Sequence, residues 1–157
     1  MRNSIVISLS FFTAYCLTIL PMPSFAEWGR PQWVLLVFLY WIIVDRDRLG
    51  LGSAFFAGLL LDLLSGSLLG EHAFAFVFIA YVTFKMVLRI RMYPLFQQTL
   101  SIFCFTLLYQ FVIFCIQGFM HELPNHYLYW LSSITSTLLW PWVFVLMRDY
   151  CRWFRVA

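Results

Sequence analysis

The sequence predicts an all-α, polytopic membrane protein with six transmembrane helices and with the N- and C-termini in the cytoplasm. Of its 157 residues, 63% are apolar and 11% are charged, whereas an ordinary soluble domain has about 25% charged residues. The mean hydropathy is +0.86, and an aromatic content of 21% excludes a disordered chain. Because one span takes roughly 20 residues, six spans leave no room for a domain in water. We therefore expect one integral membrane domain over residues 1–157.

Six apolar segments are interpreted as the spans, at about residues 5–20, 33–44, 49–64, 73–88, 95–119 and 128–147. The second and fourth are short, and length alone would allow re-entrant segments. The basic residues decide between these alternatives. With six crossings, nine of the ten lie on the cytoplasmic side and only Arg30 lies outside. A hairpin that did not cross would move Arg46 and Arg48 outside, so the positive-inside rule favours six crossings.

The N-terminus allows a second interpretation. Arg2, the apolar run 5–20 and the small residues near 24–26 are typical of a secretory signal with a cleavage site. The run is long for the apolar core of a signal, and another apolar run begins at Trp33. We therefore favour a retained first span, whereas cleavage would leave five.

Small residues recur every four positions along the third segment. In a helix these residues share one face and form a ridge that the Asp62 carboxylate interrupts. The ridge consists of Gly50, Ala54, Gly58, Asp62, Gly66 and Gly70. Small side chains let two helices approach closely, and in lipid this packing drives association. The ridge indicates either packing within this protein or a face that binds the transmembrane helix of another protein.

Asp62 is the only charged residue well inside a predicted span. A carboxylate at the bilayer centre costs roughly 2.5–3.5 kcal/mol, and less near an interface. Asp62 could cap the N–H groups of the next helix around residues 65–70, or pair with Arg30. It could also bind a partner, or serve as a proton or substrate site.

Two further features concern the last two segments. Hydroxyl side chains precede Trp140-Pro141-Trp142, and Pro141 predicts a kink that either fits neighbouring helices or shapes a pocket. Gln110 and Gln117 share one face of the fifth segment, where we expect hydrogen bonds to other helices.

The sequence offers little support for catalysis or for a cofactor. Histidines His72, His121 and His126 are interpreted as surface residues of outer loops, because they match no metalloprotease or nucleophile–base pattern. The cysteines have no zinc-binding spacing: Cys16, Cys104, Cys115 and Cys151. Cys16, Cys104 and Cys115 lie inside apolar runs and are interpreted as small buried apolar residues. We expect no enzymatic activity, no metal or cofactor, and no nucleic-acid partner.

Three stretches together resemble the MreD family of rod shape-determining membrane proteins. Residues 30–36, followed by Tyr40-Trp41, are similar to the start of its second helix. Residues 58–70 resemble its G-x-x-x-D-x-x-x-G-x-x-x-G signature, and residues 139–148 resemble its closing helix. The length, order and spacing match along nearly the whole chain.

The resemblance implies a multi-pass protein of the bacterial inner membrane, within the cell-elongation complex that builds peptidoglycan. Family members act with the bitopic protein MreC, with the MreB filament, and with a SEDS glycosyltransferase and its penicillin-binding transpeptidase. The implied role is a non-catalytic adaptor that binds these proteins, some of them indirectly. The resemblance also implies a six-helix fold similar to that of the substrate-binding component of vitamin transporters. The alternative function is therefore a small-molecule-binding or transport subunit. The candidate partner-binding or packing residues are Arg30, Pro31, Gly58, Asp62, Gly66, Gly70, Trp140 and Pro141.

Overall fold

The computed structural model describes residues 2–21, 23, 29–45, 47–120 and 127–153. The described residues form six α-helices, and a short 3-10 turn at Tyr127–Trp130 precedes the last one. The all-α class is therefore confirmed. The helices are α1 (Arg2–Ile19), α2 (Trp33–Val44), α3 (Leu51–Ser65), α4 (Glu71–Ile90), α5 (Leu95–Phe119) and α6 (Leu131–Trp153).

The helix bounds follow the predicted spans with one larger difference. Helices α2 and α5 have the predicted ends, whereas α6 begins after the 3-10 turn and continues to Trp153, beyond the predicted 147. Pro141 lies inside this helix, and its kink stays a prediction.

Of the described helices, α4 and α5 are long and apolar enough to cross a membrane, and α1, α2 and α3 are shorter apolar helices. Six crossings and the cytoplasmic position of both termini also stay predictions, and Arg46 and Arg155 lie outside the described residues.

The short helix α2 is the centre of the bundle. Every residue from 34 to 43 is buried, as expected for a helix that is apolar all round. Helices α1, α4 and α6 pack against it, α3 lies along α4, and α5 lies between α4 and α6. The neighbouring helices therefore shield α2 on its whole circumference.

Side chains from other elements hold both ends of α2. At its start the backbone N–H of Gln32 donates to Ser136 Oγ of α6 at 2.9 Å. At its end the guanidinium of Arg91 donates from Nε to the Ile43 carbonyl and from Nη2 to the Val44 carbonyl, the latter at 2.7 Å. These bonds satisfy backbone groups that a helix end leaves without intrahelical partners.

Two polar contacts join α1 to the rest of the bundle. Trp41 Nε1 donates to Ser10 Oγ at 2.8 Å, and the Tyr15 hydroxyl donates to the Ala57 carbonyl of α3 at 2.7 Å. These contacts give α1 a place in the folded protein, as a retained span requires. Residues 24–26, where a signal would be cleaved, lie outside the described residues, so the retained span stays a prediction.

The outer surface of the bundle is apolar as well. Large side chains such as Phe56, Phe96 and Leu138 are mostly exposed. The prediction that Cys16, Cys104 and Cys115 are buried was wrong, because all three are exposed, whereas Cys151 is buried. A thiol in an apolar run can face outward when the surface itself is apolar, so an apolar run does not indicate burial here.

Candidate functional site

Polar side chains gather where α1, α3 and α5 end and where α2, α4 and α6 begin. We call this region the polar end. Its buried polar residues include Asp62, Glu71, Gln110 and Ser133. The N-termini of three helices meet here, and their free N–H groups favour acceptors and negative charge.

Asp62 caps the start of α4. Its Oδ2 accepts from the Gly70 N–H at 2.8 Å, and its Oδ1 accepts from the His72 N–H at 2.9 Å. The Ser67 hydroxyl at 3.2 Å and His72 Nδ1 at 2.8 Å also lie within hydrogen-bond distance of Oδ1. The carboxylate thus satisfies helix N–H groups that would otherwise lack partners. This geometry favours the capping alternative, and among the described residues no ion pair joins Asp62 to Arg30.

Two glycines make this cap possible. Gly66, directly after α3, has φ 65°, and Gly70, directly before α4, has φ 103°. Both values lie in the left-handed region, where glycine carries no steric penalty. The chain therefore turns back within a few residues and brings the start of α4 to Asp62. A Cβ at either glycine would meet no atom within 4 Å, so their backbone conformation, and not close packing, requires glycine.

Gly58 lies where α3 and α4 approach most closely. A Cβ built on Gly58 would lie 2.4 Å from Ala73 Cα and 2.7 Å from the His72 carbonyl oxygen. Ala54, Gly58 and Asp62 are all buried. This part of the ridge packs within the chain, and the ridge ends where α3 ends at Ser65. The binding of a partner helix to this ridge stays a prediction.

The two glutamines of α5 make the expected hydrogen bonds across helices. Gln110 Nε2 donates to the Tyr129 carbonyl at 2.9 Å, and Gln110 Oε1 accepts from the Ser133 hydroxyl of α6. Gln117 Nε2 donates to Glu71 Oε1 of α4 at 2.7 Å. Their spacing of seven residues places both amides on the side of α5 that faces α4 and α6, which confirms the prediction.

Arg30 and Pro31 connect the polar end to α1 and α6. The Arg30 guanidinium donates to the Leu20 carbonyl, and the Ser132 hydroxyl donates to the Arg30 carbonyl at 2.6 Å. Pro31 is buried. The segment before α2 is therefore held from two sides.

Trp140 and Pro141 lie away from the polar end. Trp140 is fully buried and packs against Phe144, with 6.1 Å between ring centroids, and Phe144 in turn contacts Tyr40 of α2. Pro141 is half-buried. These two residues contribute to the packing between α6 and α2 and line no part of the cavity described next.

A cavity of about 290 Å³ opens at the polar end, with residues from all six helices in its wall. We call it the end cavity. Its polar lining comes from Thr18, Arg30, Gln32, Trp33, Ser65, His72, Tyr109, Gln110, Gln117, Tyr129 and Ser132. Three atoms of these residues are buried without a hydrogen-bond partner in the described part of the chain: Arg30 Nε, Gln32 Oε1 and Trp33 Nε1. Asp62 lies behind His72 and outside the lining.

The interpretation of His72 as a surface loop residue was wrong. It belongs to the first turn of α4, where its backbone and ring both contact Asp62. A histidine ten residues after an aspartate in an apolar segment, with Gly66 and Gly70 between them, was the available signal. Gln32 and Trp33 were not identified as cavity residues, since one apolar segment does not reveal what its first turn faces. His121 and His126 lie outside the described residues.

Fold and site together define a class: a small, apolar helical bundle whose surface suits lipid better than water and whose polar groups converge at one end. The profile of the family described as rod shape-determining protein MreD matches residues 1–150. The chain is also 36% identical over 145 residues to the rod shape-determining protein MreD of Haemophilus influenzae (strain ATCC 51907 / DSM 11121 / KW20 / Rd), which covers 92% of this chain and 90% of that relative. No solved structure matches the chain. The chain therefore belongs to the MreD family of membrane proteins, whose role is rod-shape determination.

Proposed function

We propose that this chain is a non-catalytic adaptor in the bacterial inner membrane, where it holds proteins of the cell-elongation complex together through contacts between transmembrane helices. Its proposed direct partner is an MreC-like bitopic protein. It also binds the SEDS glycosyltransferase and the penicillin-binding transpeptidase, either directly or through MreC. It is connected to the MreB filament only indirectly. Membership of a rod shape-determining family supports the cellular setting.

One observation carries the proposal: large apolar side chains cover the outward faces of the helices. On α3 they are Leu51, Phe55, Phe56, Leu60, Leu63 and Leu64. An apolar surface of this extent needs lipid or another helix against it. Helix faces are therefore what this chain offers to a partner, and a protein with a single transmembrane helix suits such a face.

The position of Gly58 shifts the proposed contact from the small-residue ridge to the opposite side of α3. Ala73 of the same chain already fills the space against Gly58. A partner helix would therefore contact Phe56 and Leu63, which are 70% and 62% exposed. A second outward face, at Leu138 and Trp142 of α6, is equally accessible.

Photocrosslinking in growing cells tests the adaptor. A photoreactive residue replaces Phe56 or Leu63 on α3, or Leu138 or Trp142 on α6, and exposed Phe111 on α5 serves as the matched control. We expect one helix face to yield a crosslink to an MreC-sized bitopic protein and the control position to yield none. If functional variants at all four positions crosslink only to lipid, the proposal is wrong.

The end cavity favours a second candidate function, a small-molecule-binding or transport subunit. Side chains from all six helices converge on it, as in binding sites formed between helices of a bundle. A thermal-shift screen of the purified protein with vitamins and lipid-linked wall precursors tests this candidate. Stabilisation that disappears in Gln110→Ala supports it, and a screen in which no compound raises the unfolding midpoint rejects it.

A further inference from the structure

The ring of His72 presents a nitrogen atom to the end cavity. Its Nδ1 lies 2.8 Å from Asp62 Oδ1, and because a carboxylate only accepts, Nδ1 carries the hydrogen and the neutral ring has its lone pair at Nε2. Nε2 has no hydrogen-bond partner in the described part of the chain, and it is not among the fully buried polar atoms there that lack one. Since His72 lines the end cavity and Asp62 lies outside the lining, Nε2 is an acceptor that an occupant of the cavity can reach.

Tyr109 of α5 adds a hydroxyl group to the same wall. The residue is 3% exposed, and the little surface that it keeps belongs to the end cavity. Its hydroxyl makes no hydrogen bond to any described residue, and it too is not fully buried. The ring centroids of His72 and Tyr109 lie 6.2 Å apart, so one small occupant can contact both. A hydroxyl group suits this pair, because it donates to Nε2 and accepts from the tyrosine O–H.

The charges near the cavity have both signs. Arg30 is the one lining residue with a permanent charge, and its guanidinium donates to the Leu20 carbonyl. Behind the wall, Asp62 accepts from the start of α4, and Glu71 accepts from Gln117 at 2.7 Å. An ion entering the cavity would give up water without an opposite charge dedicated to it. The cavity therefore favours an uncharged occupant.

We propose that the end cavity binds an uncharged polyol no larger than a single sugar ring. One hydroxyl of the polyol donates to His72 Nε2 and accepts from the Tyr109 hydroxyl, and a second contacts the hydroxyl of Tyr129, which also lines the cavity. A volume of about 290 Å³ lies at the lower end of the range for ligand sites. The C–H groups of the polyol contact the apolar part of the wall, which consists of Pro31, Val34, Leu35, Leu61 and Ile113.

The inference rests on the second candidate function, for which it names the class of ligand, and does not depend on the adaptor role. A polyol of this size has two possible sources, the head group of a glycolipid and a soluble sugar. If a vitamin stabilises the parent and not Gln110→Ala, while no polyol binds, this inference fails and the binding function stands. If no compound of any class binds, both fail.

The experiment measures the binding of defined probes to the purified full chain in a detergent without sugar groups. One arm titrates methyl glucoside and records the heat of binding and the unfolding midpoint. The other arm adds monoglucosyldiacylglycerol to delipidated protein and counts bound lipids by native mass spectrometry, with diacylglycerol as the lipid without a polyol. We expect saturable binding in at least one arm. Saturation by the lipid alone indicates a glycolipid, and saturation by methyl glucoside as well indicates a cavity open to water.

Two conservative variants assign the atoms. His72→Asn keeps an N–H donor near the position of Nδ1 and removes Nε2, and Tyr109→Phe removes only the hydroxyl. The matched control is Tyr81→Phe, which removes the hydroxyl of an exposed tyrosine on α4 outside the cavity. We expect roughly a three- to tenfold loss of affinity in each of the first two variants and parental affinity in the control. The unfolding midpoint of each variant without probe shows that the compared proteins are folded.

Three results would overturn the proposal. The first is an absence of saturable binding of either polyol probe to the parent. The second is an equal rise of the unfolding midpoint in the parent, His72→Asn and Tyr109→Phe, because sugars stabilise proteins in general by being excluded from their surface. The third is tighter binding of glucosamine or glucuronate than of methyl glucoside, which would indicate a site for a cation or an anion.

Discussion

Gly58 of α3 and Ala73 of α4 are in contact through their backbones. A Cβ on Gly58 would lie 2.4 Å from Ala73 Cα, a distance that no side chain can occupy without moving a helix. The same two helices are joined by Asp62, which accepts hydrogen bonds from the first residues of α4. Close backbone approach and capping therefore act together, and the α3–α4 pair is a structural unit of the bundle.

Gly58→Ala should lower the free energy of unfolding by about 1–3 kcal/mol, because the added methyl group forces two backbones apart. The measurement is unfolding of the purified protein in mixed detergent. Gly52→Ala is the matched control on the same helix, since a Cβ at Gly52 meets nothing within 4 Å. The control should raise stability by up to about 1 kcal/mol through helix propensity. Equal stability of the two variants would contradict the close approach.

Asp62→Asn should lower the free energy of unfolding by about 1–3 kcal/mol, and Asp62→Ala by more, because the N–H groups of α4 lose a charged acceptor. Asp47→Asn, an exposed aspartate, is the control and should change stability by less than about 0.5 kcal/mol. The detergent unfolding assay gives all three values, and cell shape gives the second readout. A fully stable Asp62→Asn that no longer supports rod shape would refute a purely capping role and favour the proton or substrate site.

Arg91→Ala should lower the free energy of unfolding by about 1–3 kcal/mol, because the last carbonyls of α2, Ile43 and Val44, lose their donors. Arg91→Lys should lose less free energy of unfolding than Arg91→Ala but should remain less stable than the parent. An ammonium group cannot reproduce the two directed N–H donors of a guanidinium. Arg89→Ala removes a neighbouring exposed arginine and should have little effect. If Arg89→Ala and Arg91→Ala are equally destabilising, the effect is one of charge and not of the two hydrogen bonds.

Membrane topology is tested by cysteine labelling in spheroplasts, in a background without the native cysteines. The exposed residues Asp47 and Leu69 lie beyond opposite ends of α3 and are each replaced by cysteine. Six crossings with cytoplasmic termini predict that an impermeant maleimide labels Leu69→Cys in intact spheroplasts. They predict that it labels Asp47→Cys only after permeabilisation. Labelling of Asp47→Cys from outside would overturn the proposed orientation.

The helices themselves could be predicted, because composition and the lengths of apolar segments act locally. Helix α2 has the predicted ends, 33–44, and α5 the predicted ends, 95–119. Helix α6 continues to Trp153, past the predicted end of the span at 147, because a helix does not need apolar side chains to extend. The importance of Asp62 was also evident, since a carboxylate in an apolar segment needs partners wherever it lies.

The sequence by itself therefore determined the class of this protein, its six apolar helices and the importance of Asp62, a carboxylate that requires hydrogen-bond donors in an apolar segment. Tertiary structure decided which way each helix faces. A helix such as α2, apolar on every side, has no amphipathic stripe to orient it, and the exposed cysteines show the same for α1 and α5. Contacts between distant residues supply the orientation instead: the close approach of Gly58 to Ala73, the bond from Gln110 to the Tyr129 carbonyl, and the convergence of Arg30, Gln32 and Trp33 on one cavity.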